Sequence, residues 1–110
     1  MANKSVLKGM GVSRGRAAGI ARLIFSSNDY QHLSEGDILV THLTNPGMTL
    51  IINKCAAIVC DIGGMTSHPA IIARELGIPA VVGTNIATTT IKDGTRIEVD
   101  GSTGDIFIEE

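Results

Sequence analysis

The chain has 110 residues, 44% apolar and 18% charged, the composition of one globular domain with no room for a second. Nine Lys and Arg against eleven Asp and Glu give a net charge of −2, so no basic excess points to nucleic acid or an anionic membrane surface. Two cysteines make no disulfide scaffold, Met1 to Gly11 has too short an apolar run for a signal peptide, and no run reaches the ~18 residues of a membrane span. The default expectation is a soluble cytoplasmic domain over residues 1–110, with an aliphatic core because only Phe25, Tyr30 and Phe107 are aromatic.

Ala17 to Phe25 mixes small and branched apolar residues and reads as a strand ended by the polar turn Ser26-Ser27-Asn28-Asp29. Gly36-Asp37 opens a buried strand at Ile38-Leu39-Val40, and Asn45-Pro46-Gly47 is a turn. Met48 to Lys54 fits a short helix with Leu50 and Ile51 facing inward. Ala56 to Asp61 reads as a second buried strand that runs directly into Gly63-Gly64. Pro69 to Leu76 is rich in helix formers, with Ile72, Ala73 and Leu76 on one face, Gly77 placed to end it and Pro79 beyond. Ala80-Val81-Val82 is a short strand, and Thr95 to Asp100 with Asp105 to Glu110 alternate as a closing hairpin with one wet face. The layout is a β-sandwich-like body with packed helices, one of them dominant.

Between the second buried strand and that helix lies Gly63-Gly64-Met65-Thr66-Ser67-His68-Pro69. Proline suits the first helical position, where its missing N–H would have no partner, and it pushes the preceding residue out of helical geometry. His68 therefore belongs at or beside the N-cap, over unpaired N–H groups carrying roughly half a positive charge, a setting suited to phosphate. A neutral imidazole there is nucleophilic on one nitrogen while the other is held, and the hydroxyls of Thr66 and Ser67 are within reach to fix the tautomer or cap the helix. The glycine pair lets another molecule approach the backbone closely. Residue type alone also fits a capping or packed histidine.

Gly63 to Thr84 closely resembles the signature of the phosphohistidine (swivelling, mobile) domain of phosphoenolpyruvate-utilising enzymes, a family that includes phosphoenolpyruvate synthase, pyruvate phosphate dikinase and enzyme I of the sugar phosphotransferase system. Gly11 to Gly19 is similar to the family's opening glycine turn, Gly36 to Val40 to its central strand, and Lys92-Asp93-Gly94 with Val99-Asp100-Gly101 to its closing hairpin. The resemblance implies a swivelling β/β/α fold in which His68 accepts a phosphoryl group and passes it on. It implies that the Thr66 hydroxyl contacts that histidine, and that Gly63, Gly64 and Ser67 form the phosphate-binding turn. Pro69 departs from the family, which most often has alanine there. Arg74 matches a family arginine, but six residues from His68 is about 9 Å along a helix and some 120° around it, so a carboxylate pair or docking is expected of it.

The expected activity is a relay by a phosphocarrier that is not a complete enzyme alone. The chain itself is expected to bind no cofactor or metal. A nucleotide-binding (ATP-grasp-like) partner and a barrel partner for phosphoenolpyruvate or pyruvate would hold Mg²⁺ and ATP or phosphoenolpyruvate. Two alternatives are a binding or regulatory module that keeps the fold without phosphotransfer, and a redox or metal module using Cys55 and Cys60. The spacing of those two cysteines is wrong for the usual zinc pair, and His32 and His42 belong to no motif. Gly9-x-Gly11-x-x-x-Gly15 has the wrong spacing for a dinucleotide loop and reads as turn glycines.

Overall fold

Arg16–Leu23 (β3) is the strand on which the sheet is built, because its two halves pair differently. The computed structural model describes residues 5–109, so the readings of Met1 to Lys4 and of Glu110 lie outside the described residues. Arg16 to Ile20 runs antiparallel to Arg96–Asp100 (β7), whereas Ala21 to Leu23 runs parallel to Ile38–Thr41 (β4). Beyond β4 the parallel series continues through Ala57–Cys60 (β5) and Ala80–Val82 (β6). The hairpin expected near the end is present as β7 and Asp105–Ile108 (β8). Ser5–Lys8 (β1) pairs with β8, and Met10–Ser13 (β2) pairs with β6. The eight strands thus form one mixed sheet in the order β1-β8-β7-β3-β4-β5-β6-β2. Its two edges are consecutive stretches of chain joined at Gly9. The two halves share β3 and pack against one another: Leu7, Ile97, Val99 and Ile106 of one lie in the same apolar cluster as Ile38, Val40, Val59 and Val81 of the other, in keeping with the expected sandwich-like body.

Pleat periodicity explains how the sheet is filled. On β4, Ile38 and Val40 face one apolar cluster and Leu39 the other; on β5, Ala57 and Val59 face the first and Ile58 and Cys60 the second. Every residue of β4, β5 and β6 is buried, which is why these parallel strands read as unbroken apolar runs. His68–Leu76 (α2) covers the second cluster through Pro69, Ala70 and Ala73. The small side chains let the helix lie close to β6 and β2. Leu76 is 40% exposed, so the apolar face sits one turn earlier than Ile72, Ala73 and Leu76 predict. Gly77 does end the helix, at φ 71°.

Other expectations shift. The helix expected from Met48 to Lys54 is a 3₁₀ turn over Pro46–Met48 followed by Thr49–Ile52 (α1). Ile51 is buried there, but Leu50 is 81% exposed, since so short a helix presents only one side to the core. The turn at Ser26 to Asp29 extends into a 3₁₀ segment, Ser27–His32, and Ala87–Thr90 (α3) is a helical turn that the local pattern does not announce. The early glycines mark a close approach of backbones rather than turns alone. A Cβ on Gly11 would lie 2.3 Å from the Gly101 carbonyl oxygen, and one on Gly101 would lie 1.8 Å from that of Ser13.

The parallel strands β4, β5 and β6 all end at the same edge of the sheet, from which His42 to Thr44, Asp61 to Ser67 and Gly83 to Ile86 emerge. In sheets of this kind ligands bind at the carboxyl ends of the strands.

Candidate functional site

The loop from β5 to α2 is shaped by its own backbone and by Ser67. Gly63 has φ 138°, and a Cβ there would lie 2.9 Å from Ser67 Oγ and 3.2 Å from Val82 Cβ. Ser67 donates through Oγ (2.8 Å) and through its N–H (3.2 Å) to the Gly64 carbonyl, so its hydroxyl braces the loop and does not cap the helix. Ser67 is nonetheless the N-cap residue by backbone geometry, at φ −71° and ψ 161°. His68 is the first helical residue, and Pro69 follows it one position further in than predicted. Proline is tolerated there because it lacks one of the N–H groups that a helix start leaves without a partner. The Ile71 N–H closes the first turn onto the Ser67 carbonyl at 3.0 Å. His68 is half-buried above this end of the helix.

The side chain that holds His68 comes from another strand. Thr44 Oγ1 lies 2.7 Å from His68 Nδ1, and Thr44 is 3% exposed. Thr66, expected to make this contact, is exposed and makes no side-chain hydrogen bond among the described residues. The correction has a geometric cause. Thr66 precedes the helix start in a turn that points outward, whereas Thr44 follows β4, the strand beside β5, and reaches across to the ring. No local spacing signals a contact between residues 44 and 68.

A second constellation at this edge was also invisible in the sequence. Asp61, 3% exposed, lies 2.7 Å through Oδ2 from His42 Nδ1, and it accepts hydrogen bonds from the Thr88 N–H (3.2 Å), the Thr88 hydroxyl (2.5 Å) and the Thr84 hydroxyl (3.2 Å). Burial by itself would raise the Asp61 pKa. The hydrogen bonds from Thr88, Thr84 and His42 outweigh it and hold the carboxyl below its ordinary value. The carboxylate thus ties the ends of β4, β5 and β6 to α3, immediately ahead of the glycine pair.

Arg74 does not meet the carboxylate expected for it. Its Nε donates to the Val12 carbonyl at 2.8 Å, and one terminal nitrogen lies 3.2 Å from Met65 Sδ. Cys55 and Cys60 are buried, and desolvation pushes both thiols up to about 12. No three His, Cys, Asp or Glu side chains converge as a metal site among the described residues. At pH 7.5 both thiols should react with iodoacetamide about a thousandfold more slowly than an exposed cysteine, and freely once unfolded. Rapid alkylation of the folded chain would contradict this burial.

Residues 33–104 match the family model described as "PEP-utilising enzyme, mobile domain". The chain belongs to that family. The mobile domain is 51% identical over 104 residues to a probable phosphoenolpyruvate synthase of Archaeoglobus fulgidus, covering 94% of this chain and 14% of that protein. It is 50% identical over 102 residues to the phosphoenolpyruvate synthase of Pyrococcus furiosus, covering 93% of this chain and 12% of that one. Among solved structures, the solution structure of an Enzyme I (nEIt) protein superimposes with a TM-score of 0.63 at 34% identity, over 74% of this chain and 34% of that chain. The chain therefore spans about an eighth of the length of these synthases. No helix among its described residues is long and apolar enough to cross a membrane.

Proposed function

We propose that this mobile domain is a phosphohistidine carrier that swivels between partners, with His68 as the nucleophile. The observation that carries the reading is the 2.7 Å contact between Thr44 Oγ1 and His68 Nδ1 at the start of α2. Attack on phosphorus needs a lone pair on Nε2, which puts the ring proton on Nδ1 and makes Thr44 Oγ1 its acceptor. In the transfer, the Nε2 lone pair forms the P–N bond as the donor's P–O bond breaks, and the leaving oxygen keeps that electron pair. The ring, still protonated on Nδ1, then carries positive charge that Thr44 stabilises as acceptor. The phosphoryl oxygens lie over the helix N-terminus, an interaction worth about 0.3–1 kcal/mol at an exposed site. Return transfer reverses these steps toward the second acceptor.

In this reading the exposed Thr66 lies at the outer rim of the loop, Gly63 supplies the positive φ that the turn requires, and Gly64, with open space where a side chain would be, leaves room for an incoming phosphoryl group. Ser67 acts by bracing the turn. Mg²⁺ and the donor, ATP or phosphoenolpyruvate, belong on the nucleotide-binding and barrel partners in this reading. The experiment is transfer in trans: the chain is incubated with labelled phosphoenolpyruvate and a phosphoenolpyruvate synthase relative whose own mobile-domain histidine has been replaced. Acid-labile, base-stable label on the chain is expected, and none after complete mixing would contradict the carrier role.

Thr44→Val tests the positioning contact. It keeps the buried volume and removes the hydroxyl, so labelling should slow by about ten- to a hundredfold, by analogy with the partners that orient metal-bound imidazoles. The stability cost should stay near 1 kcal/mol. An unchanged labelling rate would remove Thr44 from the mechanism.

A further inference from the structure

Three of the five arginines are ion-paired: Arg16 with Glu98 and Asp100, Arg22 with Asp37 and Asp93, Arg96 with Glu109. The other two, Arg14 and Arg74, have no carboxylate within 4.0 Å among the described residues, and both line one groove. That groove has a volume of about 400 Å³ and is completed by Val12, Ser13 and Gly77, with no acidic side chain in its wall. Arg74 is held in place by the Val12 carbonyl and Met65 Sδ, which leaves three of its five N–H groups directed at no protein acceptor. Arg14 makes no side-chain hydrogen bond at all among the described residues and is exposed. Two guanidinium groups without counter-ions among the described residues, one of them pre-positioned, thus face one groove on a protein of net charge −2.

We infer that this groove receives an acidic side chain of the protein on which the domain docks. The inference deepens the carrier reading, since a carrier must dock to accept and release its phosphoryl group. The contact from Arg74 to Met65, three residues before His68, connects the groove to the phosphoacceptor loop. An aspartate or glutamate seated between Arg14 and Arg74 would fix the face of α2 that the partner sees and leave His68 uncovered. Charge complementarity selects an acidic segment over an apolar one, and the attraction falls with added salt.

The test needs no phosphotransfer, so its failure is distinguishable from failure of the carrier reading. The ¹⁵N-labelled chain is titrated at low ionic strength with an acetylated tetraglutamate amide, and in parallel with inorganic phosphate. Saturable shifts are expected at the Arg14 and Arg74 Nε–H signals and at the Gly15 and Gly77 amides. They should weaken about three- to tenfold in Arg14→Gln, which disturbs no contact of the fold. Absence of saturable shifts at these groups, an equal response in Arg14→Gln, or tighter binding of phosphate than of the peptide would each overturn the inference.

Discussion

His68→Ala should abolish the acid-labile, base-stable label entirely, while the protein still unfolds cooperatively. The substitution removes the nucleophile itself, so no residual rate through this ring is available. Alanine is a good helix former and His68 is only half-buried, so the main structural loss is the hydrogen bond with Thr44, worth about 1 kcal/mol. The near-neutral effect on folding separates the two roles of the residue. A merely capping histidine would show the reverse, a stability change with labelling retained on another group. His42 and His32 offer internal controls, because both are exposed imidazoles at which His68→Ala should leave no label.

The largest effect on stability is expected at Asp61. Replacing it with alanine strips the acceptor from the Thr84 hydroxyl and from both the N–H and hydroxyl of Thr88, all buried, and releases His42. Hydrogen bonds to a charged acceptor contribute about 1.5–3 kcal/mol each, and buried donors left without partners add to the loss, so a destabilisation of roughly 3 kcal/mol is expected. For a domain of this size that lowers Tm by on the order of 12–18 °C. The pH dependence has a definite sign. Because the folded-state pKa of Asp61 lies below its unfolded value, its contribution is complete above the unfolded value, about 3.9, and is lost as pH falls through the depressed folded one. Denaturant melts of the wild type and Asp61→Asn from pH 7 to pH 2.5 should therefore converge at the acidic end. A constant gap across that range would mean that the ionised carboxylate contributes nothing.

Much of this molecule was legible because its signals are local. β4 and β5 are buried on both faces, and their unbroken apolar runs announce that. The α2 boundary follows from Pro69 and Gly77 within a few residues, and β7 with β8 shows the alternation of a half-buried hairpin. The candidate nucleophile was legible for the same reason, since a glycine pair, two hydroxyls, a histidine and a proline lie in one continuous stretch. What escaped depends on contacts across strands. Thr44 meets His68 only because β4 and β5 are parallel neighbours with a shared carboxyl edge, and His42 meets Asp61 for the same reason. β1 and β2 were hidden differently: Gly9 and Gly11 mimic turns, although their place is set by the backbone of the β7–β8 connection pressing against them. Leu50 shows the limit of periodicity on an element of one turn, where a helical pattern exists but only one side has anything to pack on.

The most direct measurement is the nitrogen that carries the phosphoryl group. Long-range ¹H–¹⁵N correlation of the phosphorylated chain, held at alkaline pH, distinguishes the two ring positions of His68. Phosphorus on Nε2, with Nδ1 still hydrogen-bonded toward Thr44, is the predicted result. Phosphorus on Nδ1, or on His42 with His68 unmodified, would contradict the account.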